Sequence, residues 1–250
     1  MRIIFSGQVP KDILYQESNE DCFEIDLSKG RLAVSDGASE SFDSKTWARL
    51  LVSEFVRNPA INVDWLENVV LEYNKQYDLA TLSWSKRASF DRGSFATLIG
   101  VEYFREKNTL DVITIGDSMC AFIEGGVLSK TFPYSLFEEF QQRPELLCTK
   151  RENNDFVQDN TFYTKHVTSL TVYPERETHL LLMTDALAEW ALRQEAEGVP
   201  KWRELLDMRS QEDLQELVLI EREEKRMRID DVTLVVLDPF GDDADELPKP

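Results

Sequence analysis

The stretch FATLIGVEYFREKNTLDVITIGDSMCAFIEGGVLSKTF, residues 95–132, decides the fold. It reads as four strand-like runs in succession: Phe95–Phe104, Leu110–Ile115, Met119–Ile123 and Val127–Phe132. Each is rich in β-branched or aromatic residues, and Asn, Asp or Gly breaks separate them, as in Glu124-Gly-Gly126. No helical period intervenes, so consecutive strands must pair antiparallel through short turns.

Outward from this run, further strand-like segments are Arg2–Ser6, Asp21–Asp26 and Arg31–Ser35 on one side. Thr161–Val172, His179–Met183 and Val232–Leu237 lie on the other. A series of this length curls into two packed sheets. Helical patterns occupy Ser44–Val56, Asp64–Tyr77 and Leu79–Ser89, then Leu187–Glu197 and Glu212–Met227. In the first of these Trp47, Leu50, Leu51 and Phe55 share one side, and Asp43 or Ser44 suits the N-cap. Helices grouped apart from the strands are left to cover outer faces. The expectation is an α+β fold, a four-layered α-β-β-α sandwich of two mostly antiparallel sheets.

The chain has 250 residues, enough for one large core, and no low-complexity linker or repeat divides it. Residues 1–239 are expected to form a single domain. The acidic run Gly241-Asp-Asp-Ala-Asp-Glu246 marks 240–250 as a disordered tail. Against 28 Lys and Arg stand 47 Asp and Glu, a net charge of −19. Such a surface repels phosphate backbones and anionic lipids, so neither nucleic acid nor membrane is an expected partner. Cys22, Cys120 and Cys148 are odd in number and show no CxxC spacing, which speaks for a reducing compartment. Two histidines are too few for a His/Cys zinc site. No apolar stretch nears the roughly 20 residues of a bilayer span, and Met1–Phe5 is too short for a signal peptide. A cytoplasmic protein is expected.

Some of the acids are not surface decoration. Asp36 closes Arg31–Ser35, Asp117 follows Asp111–Gly116, and Asp185 follows His179–Thr184. Asp230 sits just before Val232–Leu237, and Glu20-Asp21 opens the strand that begins at Cys22. Carboxylates at strand ends can be gathered from distant parts of a chain into one cleft. Gathered there, they repel one another and lose hydration, so they need a countercharge. An all-oxygen donor set suits a hard divalent ion such as Mg²⁺ or Mn²⁺.

In order, the segments are Asn19-Glu-Asp21, Val34-Ser-Asp-Gly37, Gly93-Ser-Phe-Ala-Thr97, Ile115-Gly-Asp-Ser118, Met183-Thr-Asp-Ala186 and Asp230-Asp-Val-Thr233. This set resembles the metal-dependent protein phosphatase family, the type-2C Ser/Thr phosphatases, over about residues 5–237. The resemblance implies hydrolysis of phosphoserine or phosphothreonine in a phosphoprotein by a metal-bridged hydroxide, in signalling with a Ser/Thr kinase or its targets. It implies two Mg²⁺ or Mn²⁺ ions, with a third possible. Asp36 would bridge the pair and the Gly37 carbonyl would bind one ion. Glu20, Asp185 and Asp230 would complete the shell, and Asp21 would orient water. Asp117 resembles a ligand of the looser third ion, with Glu189 in place of the usual aspartate. Gly93, Ser94 and Thr97 would serve close strand packing.

The chain departs from the pattern at four places. The family often binds substrate phosphate with an arginine four residues before the Glu-Asp pair; here that position is Gln16. An amide donates hydrogen bonds but brings no charge. Ala38 stands where many members carry a histidine acid, while Ala186 and Met119 replace glycine and arginine. Those losses motivate the alternative of a catalytically idle regulatory or binding module on the same fold. A β-sandwich adhesion domain with structural Ca²⁺ fits the helices poorly. The charged, irregular segment Leu136–Asn160 is where a mobile flap is expected.

Overall fold

The computed structural model describes residues 1–241. In chain order it begins with β1 (Arg2–Val9), β2 (Cys22–Asp26), β3 (Arg31–Ser35), α1 (Ser44–Arg57), α2 (Val63–Asn74) and α3 (Trp84–Arg92). The strand series follows: β4 (Phe95–Ala96), β5 (Leu98–Phe104), β6 (Thr109–Ile115), β7 (Met119–Glu124), β8 (Val127–Phe132) and β9 (Leu147–Cys148). The chain then forms α4 (Phe162–His166), β10 (Val167–Thr171), β11 (Thr178–Met183), α5 (Asp185–Ala196), α6 (Trp202–Leu206), α7 (Gln211–Glu223) and β12 (Val232–Asp238).

Two five-stranded sheets result, in the orders β1-β12-β11-β7-β8 and β10-β6-β5-β3-β2, and every pairing is antiparallel. Side-chain alternation along the strands builds the layers. In β11, Leu180 and Leu182 enter the space between the sheets, where they join Phe122, Val235 and Leu237. Leu181 and Met183 take the opposite face, under Leu187 and Trp190 of α5 and Leu214 of α7. On the second sheet Leu32, Val34, Val101 and Val112 point to the shared interior, while Ala33, Ile113 and Ile115 meet α1 and α2. The sandwich is therefore α-β-β-α, as the sequence pattern predicts.

Helix α1 starts where Asp43 accepts a hydrogen bond from the Thr46 amide at 3.1 Å. It buries Trp47, Ala48, Leu51, Val52 and Phe55 on the sheet, at roughly 1.5–3 kcal/mol for each large side chain. Its approach depends on Gly100, where a Cβ would stand 2.2 Å from the Phe55 ring.

Three element readings need correction. Thr161–Val172 is not one strand, since α4 takes its first half. The Thr161 amide and hydroxyl both donate to Asp159 Oδ1 at 2.8 Å, starting a turn. Phe162 then drops into the core beneath α1 and α2. Helix α6 carries only two buried residues, Trp202 and Leu205, too few to show a period in sequence. Helix α7 ends at Glu223 instead of Met227, with Lys225 in the left-handed region at φ 60°.

The segment expected as a flap is tied down at three places. Phe140 joins the core beside α5, Leu147–Cys148 pairs with Phe95–Ala96, and the Asn154 side chain bonds the Cys148 amide and carbonyl at 2.9 Å each. Of the expected tail, Phe240 packs edge-on against Tyr103 and the Met1 ammonium donates to the Gly241 carbonyl. Residues 242–250 lie outside the described residues. All three cysteines are free thiols. Among the described residues no helix is long and apolar enough to cross a membrane.

Candidate metal centre

Asp36 follows β3 and is locked to the facing strand by its own backbone. Its amide donates to Thr97 Oγ1 and its carbonyl accepts from the Thr97 amide, both at 2.9 Å. The Thr97 hydroxyl in turn bonds Ser118 Oγ at 2.7 Å, which fastens the Gly116-Asp117-Ser118 turn to the same point. Gly116 is required there. Its φ is +98°, and a Cβ would lie 2.6 Å from Thr97 Cγ2. Asp185 is the first residue of α5, directly after β11, and Asp230 precedes β12. These four aspartates, with Gly37, line one cavity of about 140 Å³ whose lip is made by Pro144 and Leu146.

Asp21 lies beside this cavity and is almost fully buried. Thr233 Oγ1 and Thr184 Oγ1 donate to its Oδ2 at 2.7 and 3.0 Å, while Oδ1 has no partner. Burial, helped by the charges of Asp231 and Asp230, pushes its carboxyl up to about 7 against the two threonine bonds. Burial also drives Asp36 well above the usual carboxylate range, and the charges of Asp21, Asp117 and Asp230 add to it. Asp117 is raised by burial, with Arg228 opposing.

Glu20 is not among the cavity's lining residues and is held next to one of them, Ser39. Its Oε2 accepts from Lys11 Nζ at 2.6 Å and Ser39 Oγ at 2.5 Å, and its Oε1 from Ser44 Oγ at 2.5 Å. Burial alone would raise its carboxyl, but these bonds leave it below the ordinary value. Buried Asp231 fixes the approach, accepting from the Lys11 amide at 2.7 Å and the Glu20 amide at 2.8 Å.

Neither a protein-family model nor a curated protein sequence matches the chain. Solved structures do. The photosystem II phosphatase PBCP aligns with TM-score 0.55 at 14% identity, over 94% of this chain and 99% of that one. The serine/threonine phosphatase PstP of Mycobacterium tuberculosis aligns with TM-score 0.54 at 18% identity, over 94% and 98%. The catalytic domain of PstP in complex with two manganese ions gives TM-score 0.55 at 17% identity, over 94% and 97%. The fold is that of the serine/threonine phosphatases.

On this phosphatase fold the carboxylates of Asp36, Asp117, Asp185 and Asp230 share one cavity, with Asp21 adjoining. Two other expected site residues stand apart. Glu189 is outside the cavity lining and ion-pairs with Arg193, one turn on, whose guanidinium is held over the Phe137 ring. Gln16 is exposed and lines not this cavity but a groove along the β1 and β2 edge, which Asp21, Lys45 and Arg49 also line. Among the described residues no three His, Cys, Asp or Glu side chains stand ready, as placed, to hold one ion. The cause is local: the threonines hold Asp21, Lys11 and two serines hold Glu20, and Arg228 ion-pairs with Asp185.

The donor set nevertheless fits hard divalent cations. It is all oxygen, and Asp21 Oδ1 and Asp185 Oδ1 are buried without hydrogen-bond partners. Sequence reasoning gave no part in the site to Lys11, Ser39, Ser44, Arg228 or Asp231. Asp231 had a visible signal in its adjacency to Asp230. Lys11 and Arg228 belong to no motif.

Two expectations follow. A cation bound at Asp185 competes with the Arg228 guanidinium for the carboxylate's charge, so Arg228→Gln should tighten Mn²⁺ binding by about tenfold in calorimetric titration. Unchanged or weaker binding would show that the ion pair does not compete. In chelator, Asp21 binds its proton more tightly folded than unfolded, so stability is fullest below about pH 4 for this group. That contribution should be lost as pH rises toward 7, lowering the melting temperature, and added Mn²⁺ should recover it. A melting temperature of the chelated protein that rises over this interval contradicts the assignment.

Proposed function

We propose that the protein is a divalent-cation-dependent phosphatase that hydrolyses phosphoserine or phosphothreonine in a phosphoprotein. The observation that carries this reading is the convergence of Asp36, Asp117, Asp185 and Asp230, from four remote parts of the chain, on one cavity. The manganese complex of PstP, similar in fold over nearly the whole chain, supports the choice of ion.

Asp36, the Gly37 carbonyl, Asp185 and Asp230 would hold two Mg²⁺ or Mn²⁺ ions, with Glu20 next to the cavity and Asp117 available to a further one. Bound there, the ions supply Lewis acidity toward phosphoryl oxygens and toward water. The chain's own part is positional. Thr184 and Thr233 clamp Asp21 by Oδ2, which leaves Oδ1 to orient the attacking water and hold a proton. Pro144 and Leu146 contribute apolar surface to the cavity lining. No histidine follows Gly37, so the leaving oxygen takes its proton from water, at a cost of about 10²-fold.

The test is hydrolysis of p-nitrophenyl phosphate and a phosphothreonine peptide with Mn²⁺ and with chelator. Mn²⁺-dependent turnover that Asp185→Asn abolishes is expected; turnover in chelator, or none at all, contradicts the reading. The Arg228–Asp185 ion pair and the displaced Glu189 favour a second reading, an idle module of the same fold. Such a module would bind Mn²⁺ weakly and hydrolyse neither substrate.

A further inference from the structure

A phosphoryl dianion entering a cavity of carboxylates gains from a side-chain cation beside the ions, and Gln16 brings none. Arg228 is committed to its ion pair with Asp185. Arg143 lines a neighbouring depression. Lys11 is placed differently. Its Nζ lies 2.8 Å from Ser39 Oγ, and Ser39 lines the acidic cavity two residues after Gly37. The backbone that carries it is fixed from both sides: its amide donates to Asp231, and the Pro10 carbonyl accepts from Arg222 Nη1 at 3.0 Å.

Resting on the phosphatase reading, we propose that Lys11, held in place by Ser39 and Glu20, binds the substrate phosphate and supplies the charge missing at Gln16. An ammonium has three donors; one goes to Glu20 Oε2 and one to Ser39 Oγ. The third is left for a phosphoryl oxygen, and the side chain keeps 31% of its surface open. Glu20 holds the ammonium in place before substrate arrives, so little ordering is required on binding. Lysine suits the role as a point charge that needs no bidentate geometry.

The competing account is that Lys11 only neutralises Glu20 and so steadies the metal site. Calorimetric titration of inorganic phosphate into the Mn²⁺-saturated protein separates the two, with Mn²⁺ titrations run in parallel. For Lys11→Met, phosphate binding should weaken about tenfold and KM for p-nitrophenyl phosphate should rise similarly, with kcat little changed and Mn²⁺ affinity equal or higher because Glu20 loses its competing cation. Lys11→Arg, which keeps the charge, should restore most of the phosphate affinity. Unchanged phosphate binding in Lys11→Met overturns the proposal, and so does a parallel fall in phosphate and Mn²⁺ affinity. A parent protein that binds no Mn²⁺ overturns the phosphatase reading itself, and this inference with it.

Discussion

Asp36→Asn is expected to cut Mn²⁺-dependent phosphatase activity by more than about 10²-fold while raising the melting temperature of the chelated protein. The two effects have one cause. Asp36 is buried among Asp21, Asp117 and Asp230, and burial together with their charges drives its carboxyl well above the usual carboxylate range, so its anionic form is disfavoured without a cation. An amide of the same shape removes the repulsion and keeps the backbone bonds to Thr97. It also removes the anion that a pair of cations would share. Initial rates and thermal melts in chelator measure both arms. Activity near that of the parent would show that Asp36 bridges nothing, and a lowered melting temperature would show that its charge is not a burden.

Trp47→Ala should destabilise the protein by about 3–5 kcal/mol, a large share of a domain's total. Trp47 is fully buried between α1 and the second sheet, with Tyr73 edge-on at a centroid distance of 5.6 Å. Its Nε1 donates to the Leu147 carbonyl at 2.9 Å. The substitution opens a cavity and leaves that carbonyl without its partner. Leu146, the neighbour of Leu147, forms part of the cavity lip. Trp47→Phe keeps most of the ring volume but not the donor, and should fall between parent and alanine. Urea unfolding gives the ranking; alanine and phenylalanine variants of equal stability would mean that packing contributes nothing beyond the lost bond.

The layers were legible in sequence because period-2 alternation in segments such as His179–Met183 has one structural solution. The motif aspartates were legible for a related reason: each ends or precedes a strand, and strand ends on a sandwich meet at its edge. Glu189 and Gln16 were not legible. Glu189 is partly buried on α5 and Gln16 is exposed, and at each the partner, Arg193 for Glu189 and an open groove for Gln16, is chosen by tertiary packing. Lys11 and Arg228 were hidden for the opposite reason. Their positions follow from bonds to Asp231, Glu20 and Asp185, which nothing in the sequence around Lys11 or Arg228 signals. Phe162 shows the same limit at the level of local structure. An aromatic in a β-rich run became helical because a core position beneath α2 and a turn at Asp159 outweighed propensity.

Crystals grown with Mn²⁺ and measured at its absorption edge test the central claim most directly. Two anomalous peaks about 3.5–4 Å apart, bounded by Asp36, Asp185 and Asp230 with Arg228 swung away, are the predicted result. A map with no peak among those aspartates, at Mn²⁺ concentrations that saturate a hydrolytic site, would contradict it.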